Sequence, residues 1–196
     1  MAEKRGVFPA WHGSIYDGKV KMRNSSLTTI APTGTVSLIA GCCNGIEPYF
    51  ALVFVRNILD GEQLLEVNPY FESTARDKGF YIESVLKQLV TGKSIEDIKV
   101  IPEDVKRLYV TTNRISPQWH VRMEAAFQRE VDGAVSKMIN VPNETTKAEQ
   151  ARLFLMGYDE GLKGITIYRN GSRELESLCT DERGSELVSE YFLTHA

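Results

Sequence analysis

Short runs of β-branched and aromatic residues alternate along this chain with stretches of helical periodicity, and that alternation restricts it to an α/β organisation. The run at 27–31 predicts a strand, 35–40 a short helix stopped by Gly41, and 51–59, rich in Val, Phe and Ile, a second strand closed by Asp60 and Gly61. Asn68 followed by Pro69 reads as a helix cap and its first helical position, with Gly79 as the stop. Further helices are predicted over 82–91, ended by Gly92, over 102–109 behind Pro102, and over 117–130 behind Ser116 and Pro117. In the last of these, Trp119, Met123, Ala126 and Phe127 recur at helical spacing and predict a core-facing stripe.

The pattern continues with a strand over 135–141, stopped by Pro142 and Asn143. Thr146 and Glu149 then stand three apart in the form of a capping box, opening a helix that reaches Glu160 and ends at Gly161. Residues 164–169, GITIYR, form a β-branched strand before the turn pair Asn170 and Gly171. Beyond Arg173 the pattern dissolves into polar residues, so 176–196 is expected to be a disordered tail. There is no internal repeat.

Charge and cysteine usage narrow the function classes. The formal net charge of -3 offers no general attraction to nucleic acid or to an anionic membrane, and no run of like charge stands out. No apolar stretch reaches the roughly 18 to 20 residues that cross a bilayer, and the amino-terminal residues lack the apolar segment of a signal peptide, which points to the cytoplasm. Cys42 and Cys43 are adjacent and Cys179 stands alone, so there is no CxxC pair. With His12, His120 and His195 scattered, no metal-ligand spacing exists. The adjacent thiols read as small packed residues, with a redox pair as the lesser alternative.

One stretch carries chemistry. In TTIAPTGTVSLIAG, residues 28–41, a strand runs through a glycine-containing turn into a helix, leaving the first helical N–H groups unpaired at the positive end of the helix dipole. Thr33, Thr35 and Ser37 place hydroxyls in and beyond the turn, and Gly34 removes the side chain that would keep a ligand away. It is neither a Walker loop nor GxGxxG. From chemistry alone it serves as an ordinary helix cap or as a seat for an anion.

TTIAPTGTVSLIAGCCNGIEPYFAL resembles the nucleotide-phosphate loop and following segment of the adenosylcobalamin-dependent ribonucleotide reductases. VFPAWHGSIYDGK, EVNPYFE, ISPQWHVRMEAAFQ, AVSKMINVPNETT and GLKGITIYRNGSR resemble further segments of that family's catalytic barrel, in the same order, across residues 6–175. The resemblance implies the carboxyl-terminal portion, residues 1–175, of a ten-stranded α/β barrel of the ribonucleotide reductase and glycyl-radical type. In that family a cysteine on a central loop is oxidised to a thiyl radical through adenosylcobalamin, and a cysteine pair supplies the electrons that replace the ribose 2′-OH. Carried over residue by residue, Pro32, Thr33, Gly34, Thr35, Val36 and Ser37 would grip the substrate phosphates. The GIEP residues, 45–48, would support the barrel centre, with Glu47 a buried carboxylate satisfied by backbone donors rather than a catalytic base. Tyr168 follows Ile167 where related enzymes have a tyrosine pair, so it reads as packing or pocket lining.

The resemblance also implies what is missing from these 196 residues. No residue here matches the family's radical or reducing cysteines; Cys42 and Cys43 fall where the family carries small residues, and no catalytic residue is assigned. The expectation is a reductase fragment, inactive alone, whose cut barrel exposes strand edges and pairs with an amino-terminal portion or companion chain carrying those cysteines. Adenosylcobalamin would be bound mainly by that missing part, and the substrate would be a ribonucleotide, with a diphosphate favoured. The alternative is a non-catalytic phosphate- or nucleotide-binding module, or an inactive relic of the same fold.

Overall fold

The computed structural model describes residues 1–57, 62–172, 178–180 and 184–195. After a one-turn helix α1 (Ala2–Arg5), the amino-terminal third is mostly irregular until α2 (Gly34–Ala40). Then follow the hairpin strands β1 (Val53–Asn57) and β2 (Gln63–Val67), and helices α3 (Pro69–Asp77), α4 (Glu83–Val90), α5 (Glu103–Leu108) and α6 (Pro117–Gln128). Single 3-10 turns at Ile95–Asp97 and Thr112–Arg114 flank α5. The chain closes with β3 (Met138–Val141), α7 (Lys147–Asp159), β4 (Thr166–Arg169), β5 (Leu178–Cys179) and α8 (Gly184–His195). No helix among the described residues is long and apolar enough to cross a membrane.

Two sheets divide the work. β3 and β4 pair in parallel with α7 as their crossover, from Met138 opposite Thr166 to Val141 opposite Arg169. Residues 28–30 run beside the approach to β3: Ile30 bridges Val135 in parallel, the Gly133 N–H donates to the Thr28 carbonyl at 2.8 Å, and the Ser136 N–H donates to the Ile30 carbonyl at 2.9 Å. The strand expected at 27–31 is thus reduced to an extended, bridged segment. The second sheet is antiparallel, in the order β2-β1-β5. Among the described residues the sheets do not close into a barrel.

Local signals set the helix ends. The Asn68 side-chain oxygen accepts from the Tyr70 and Phe71 N–H groups at 3.0 Å, as the Asn-Pro pair predicted. The capping box closes reciprocally, with the Glu149 N–H donating to Thr146 Oγ1 at 3.2 Å and the Thr146 N–H donating to Glu149 Oε2 at 2.8 Å.

Three expectations change. β2 was not expected, because QLLEV lacks β-branched residues except at its end, and its pairing with β1 comes from the hairpin; Asp60, Gly61 and Leu59 of the expected strand end lie outside the described residues. The stripe predicted as core on α6 faces outward: Trp119, Met123 and Phe127 are 61%, 48% and 39% exposed, and Ala126 is exposed as well. The buried residues of α6 are His120, Val121, Glu124, Ala125 and Gln128. Finally, the stretch expected to be a disordered tail carries β5 and the twelve-residue α8, because Val188 is fully buried and Leu187 and Phe192 pack with it against the core of α3, α4 and β1. Residues 173–177, 181–183 and 196 lie outside the described residues.

The larger core gathers Val53, Val55, Phe71, Phe80, Val85, Leu86, Val90 and Val188; the smaller one packs Val121 of α6, Ile139 and Val141 of β3, and Leu153 of α7. Gly184 admits α8 to the larger core. A methyl group there would lie 2.4 Å from Val90 Cγ2 and 3.1 Å from Val55 Cγ2. Gly184→Ala is therefore expected to cost about 1–3 kcal/mol by overpacking, read as a lower urea midpoint with an unchanged slope.

Candidate functional site

The turn at 32–37 leaves the carboxyl end of the bridged extended segment and enters α2. Helix α2 begins when the Ser37 N–H donates to the Thr33 carbonyl at 2.8 Å, so the N–H groups of residues 34–36 precede the first helical bond and have no acceptor within the helix. Thr33 has φ of 51°, a left-handed backbone that a β-branched residue adopts only under constraint, at a cost on the order of 1–3 kcal/mol. Pro32, Thr33, Gly34 and Val36 are exposed, and no atom lies within 4 Å of where a Gly34 side chain would begin. Ser37 differs from the others. It is 6% exposed, and its hydroxyl donates to the Gly34 carbonyl at 2.7 Å, which braces the first turn. The Thr35 side chain lies outside the described residues.

Behind the turn, Ser37 lines a cavity of about 150 Å³ together with Cys42, Cys43, Asn44, Tyr49 and Asn68. Both cysteines are free thiols and exposed, not packed as expected. Gly45 has φ of 55°, and a side chain there would meet the Ala31 carbonyl oxygen at 2.9 Å. This close approach folds the GIEP segment back against the root of the turn.

The GIEP segment leads to a second place, which the sequence did not single out. A cavity of about 510 Å³ opens beside α6, lined by Ile46, Glu47, Trp119, Met123, His120 and Lys137 among others. Beneath it Lys137 is 1% exposed; its Nζ donates to His120 Nδ1 at 2.7 Å and to the Met138 carbonyl at 3.1 Å. His120 Nε2 lies 3.2 Å from the Thr112 carbonyl, which can only accept, so the neutral ring carries its proton on Nε2. Burial, and then the Lys137 charge, hold this imidazole below its ordinary value. Burial also pulls the Lys137 ammonium down, opposed by Glu47 and Glu124. Glu124 is fully buried, and neither of its carboxylate oxygens closes a hydrogen bond. Burial pushes its carboxyl up to about 7, although the Lys137 charge nearby favours the anion. The available signal was the polar spacing of His120, Glu124 and Gln128 at every fourth residue, overshadowed by the apolar stripe beside it.

The remaining candidates are dispersed. Glu47 accepts from the Met138 N–H at 3.1 Å, a backbone donor as expected, but it is half-buried rather than buried. Tyr168 sits half-buried on β4 opposite Asn140. His12 is exposed near Asp17, and no group of three or more potential metal ligands exists among the described residues.

Comparison with known proteins identifies relatives. Residues 1–168 match the family model described as ribonucleotide reductase, barrel domain. The vitamin B12-dependent ribonucleoside-diphosphate reductase of Thermoplasma acidophilum is 51% identical over 179 residues, covering 91% of this chain and 23% of that protein. The protein of the same description from Mycobacterium tuberculosis is 44% identical over 174 residues, covering 89% of this chain and 25% of that one. The chain thus spans about a quarter of the length of these curated relatives. A solved class Id ribonucleotide reductase alpha subunit from Actinobacillus ureae superposes with a TM-score of 0.67 at 24% identity, over 87% of this chain and 30% of that one, which speaks to the fold.

The buried carboxyl makes stability depend on pH. Below its unfolded value of 4.5 Glu124 is protonated in both states; as pH rises toward 7 the unfolded chain releases the proton while the folded chain keeps it, so stability is lost across that window. The loss is on the order of 3 kcal/mol. Glu124→Gln is expected to remove this contribution, so urea unfolding at pH 4.5 to 8 should show the variant gaining on the native chain as pH rises.

Proposed function

The chain belongs to the ribonucleotide reductase barrel family, and on that premise we propose that it forms the carboxyl-terminal, substrate-phosphate-binding portion, residues 1–175, of a ten-stranded reductase barrel. The observation that carries this reading is the turn at 32–37, with open space over Gly34, N–H groups that have no acceptor within the helix and a Thr33 backbone held in a strained conformation. Strain of this kind persists where the surroundings over-determine it and is concentrated at ligand clamps. The substrate is a ribonucleoside diphosphate, in keeping with the names of the relatives from Thermoplasma acidophilum and Mycobacterium tuberculosis.

The residues act by binding and orientation. The N–H groups of residues 34–36 and the hydroxyls of Thr33 and Thr35 donate to phosphate oxygens. Ser37 keeps the first turn of α2 closed, so that those donors stay aligned. An anchored diphosphate fixes the ribose at a set distance from the turn, which is the positional requirement of a reaction at one ring carbon.

Adenosylcobalamin is the cofactor that the relatives' names imply, but the described residues do not fit its metal. Both His120 nitrogens are engaged inside the fold, and His12 stands exposed beside Asp17. We therefore assign the cofactor, with the radical and reducing cysteines, to an amino-terminal portion or companion chain. The unclosed β3-β4 sheet and the outward apolar face of α6 favour such a partner.

Reduction of a ribonucleoside diphosphate, with adenosylcobalamin and a dithiol, is expected to be absent for this chain alone and present on co-expression with the amino-terminal portion of a relative. Thr33→Ala/Thr35→Ala in that complex should lower kcat/KM roughly ten- to hundredfold, mainly through KM, as expected for lost hydrogen bonds to a charged group. A folded, associated complex that binds the nucleotide without turnover would instead support a non-catalytic binding module or relic.

A further inference from the structure

A ring of hydrogen bonds begins on the GIEP segment and ends on Tyr49, the residue that follows it. The Glu47 side chain accepts from the Met138 N–H at 3.1 Å, and the Met138 carbonyl accepts from Lys137 Nζ, also at 3.1 Å. Lys137 Nζ donates to His120 Nδ1 at 2.7 Å, and His120 Nε2–H donates to the Thr112 carbonyl at 3.2 Å. The Thr112 N–H then donates to the Tyr49 carbonyl at 2.9 Å, two residues from the start. Four separate stretches of the chain, 47–49, 112, 120 and 137–138, are closed into one loop through a single buried cation. Gly45, just ahead of Glu47, lies against the Ala31 carbonyl at the root of the turn.

From this closure we infer that Lys137 is a positioning residue for the turn at 32–37: by holding both Met138 and His120, it fixes residues 45–49 and, through Gly45, the place from which the turn departs. Lysine suits the role because its ammonium offers three donors from one point, and two of them serve acceptors on different elements. A neutral residue of the same length would take this donor from both acceptors. Glu124 lies beneath without a hydrogen bond, a second carboxylate that draws on the Lys137 charge without belonging to the ring. The link to substrate rests on the reading of the turn as a phosphate seat; the link from Lys137 to residues 45–49 does not.

The test is amide hydrogen exchange on the full chain, native and Lys137→Met, with nitrogen NMR of the His120 ring. In the folded variant the Thr112 and Met138 amides, 26 positions apart, should exchange about tenfold faster together, while α3 and α4 are unchanged. The His120 ring should titrate at higher pH than in the native chain, because the Lys137 charge that disfavours its protonation is gone; loss of packing alone would leave that cause in place. Unchanged exchange at Thr112 and Met138, or an unmoved His120 titration, overturns the proposal. Should Lys137→Met fail to fold, Glu124→Leu/Lys137→Met removes both buried charges and is read in the same way. If that also fails, the native chain decides: Thr112 and Met138 amides that open with different free energies contradict a single ring. ADP serves as the ligand probe, with binding expected to weaken about tenfold in the folded variant. A native chain that does not bind ADP overturns the phosphate reading and leaves the exchange result to stand by itself.

Discussion

The buried Lys137 ammonium beside β3 is the condition around which this half of the molecule is arranged. Removing an ammonium from water costs several kcal/mol even after relaxation, and the cost is offset only when each donor meets an acceptor and a negative charge stands near. The chain supplies the acceptors from α6 and β3, and the charges from Glu47 and Glu124. Those requirements turn the polar side of α6 inward, because His120 and Glu124 must sit where the cation is. The apolar side is left facing out.

That inversion explains why sequence reasoning succeeded unevenly. Caps were legible because their signals are local: Asn68 before Pro69, and Thr146 three residues before Glu149, act through the backbone beside them. The turn and helix at 32–40 were legible for the same reason, whereas the strand expected at 27–31 came out as an extended segment with one bridge at Ile30. The direction of α6 was not, since periodicity shows that a helix has an apolar face but not that the protein within reach will cover it. β2 and α8 were missed because neither is set by its own residues: β2 forms on β1, and α8 is ordered by the space that Gly184 opens between Val55 and Val90.

The candidate site divides along the same line. Six adjacent residues named the turn, and the structure adds what adjacency cannot show, which is that Ser37 is spent on the helix and Thr33 carries the strain. The buried cluster had no comparable signature, because His120, Glu124 and Lys137 meet only after β3 has been laid against α6. Family membership accounts for the order of the segments, whereas the physical contacts account for how GIEP, α6 and β3 are held to one another.

The outward face of α6 has an optical consequence. Trp119 stands in solvent with the Arg122 guanidinium 4.9 Å over its ring, and the only other indole, Trp11, lies more than a hundred residues away in the irregular amino-terminal third. An indole in water emits at longer wavelength than one in a dry apolar contact. The chain therefore carries, on the exposed apolar face of α6, a built-in fluorophore whose colour records whether anything has come to rest on it.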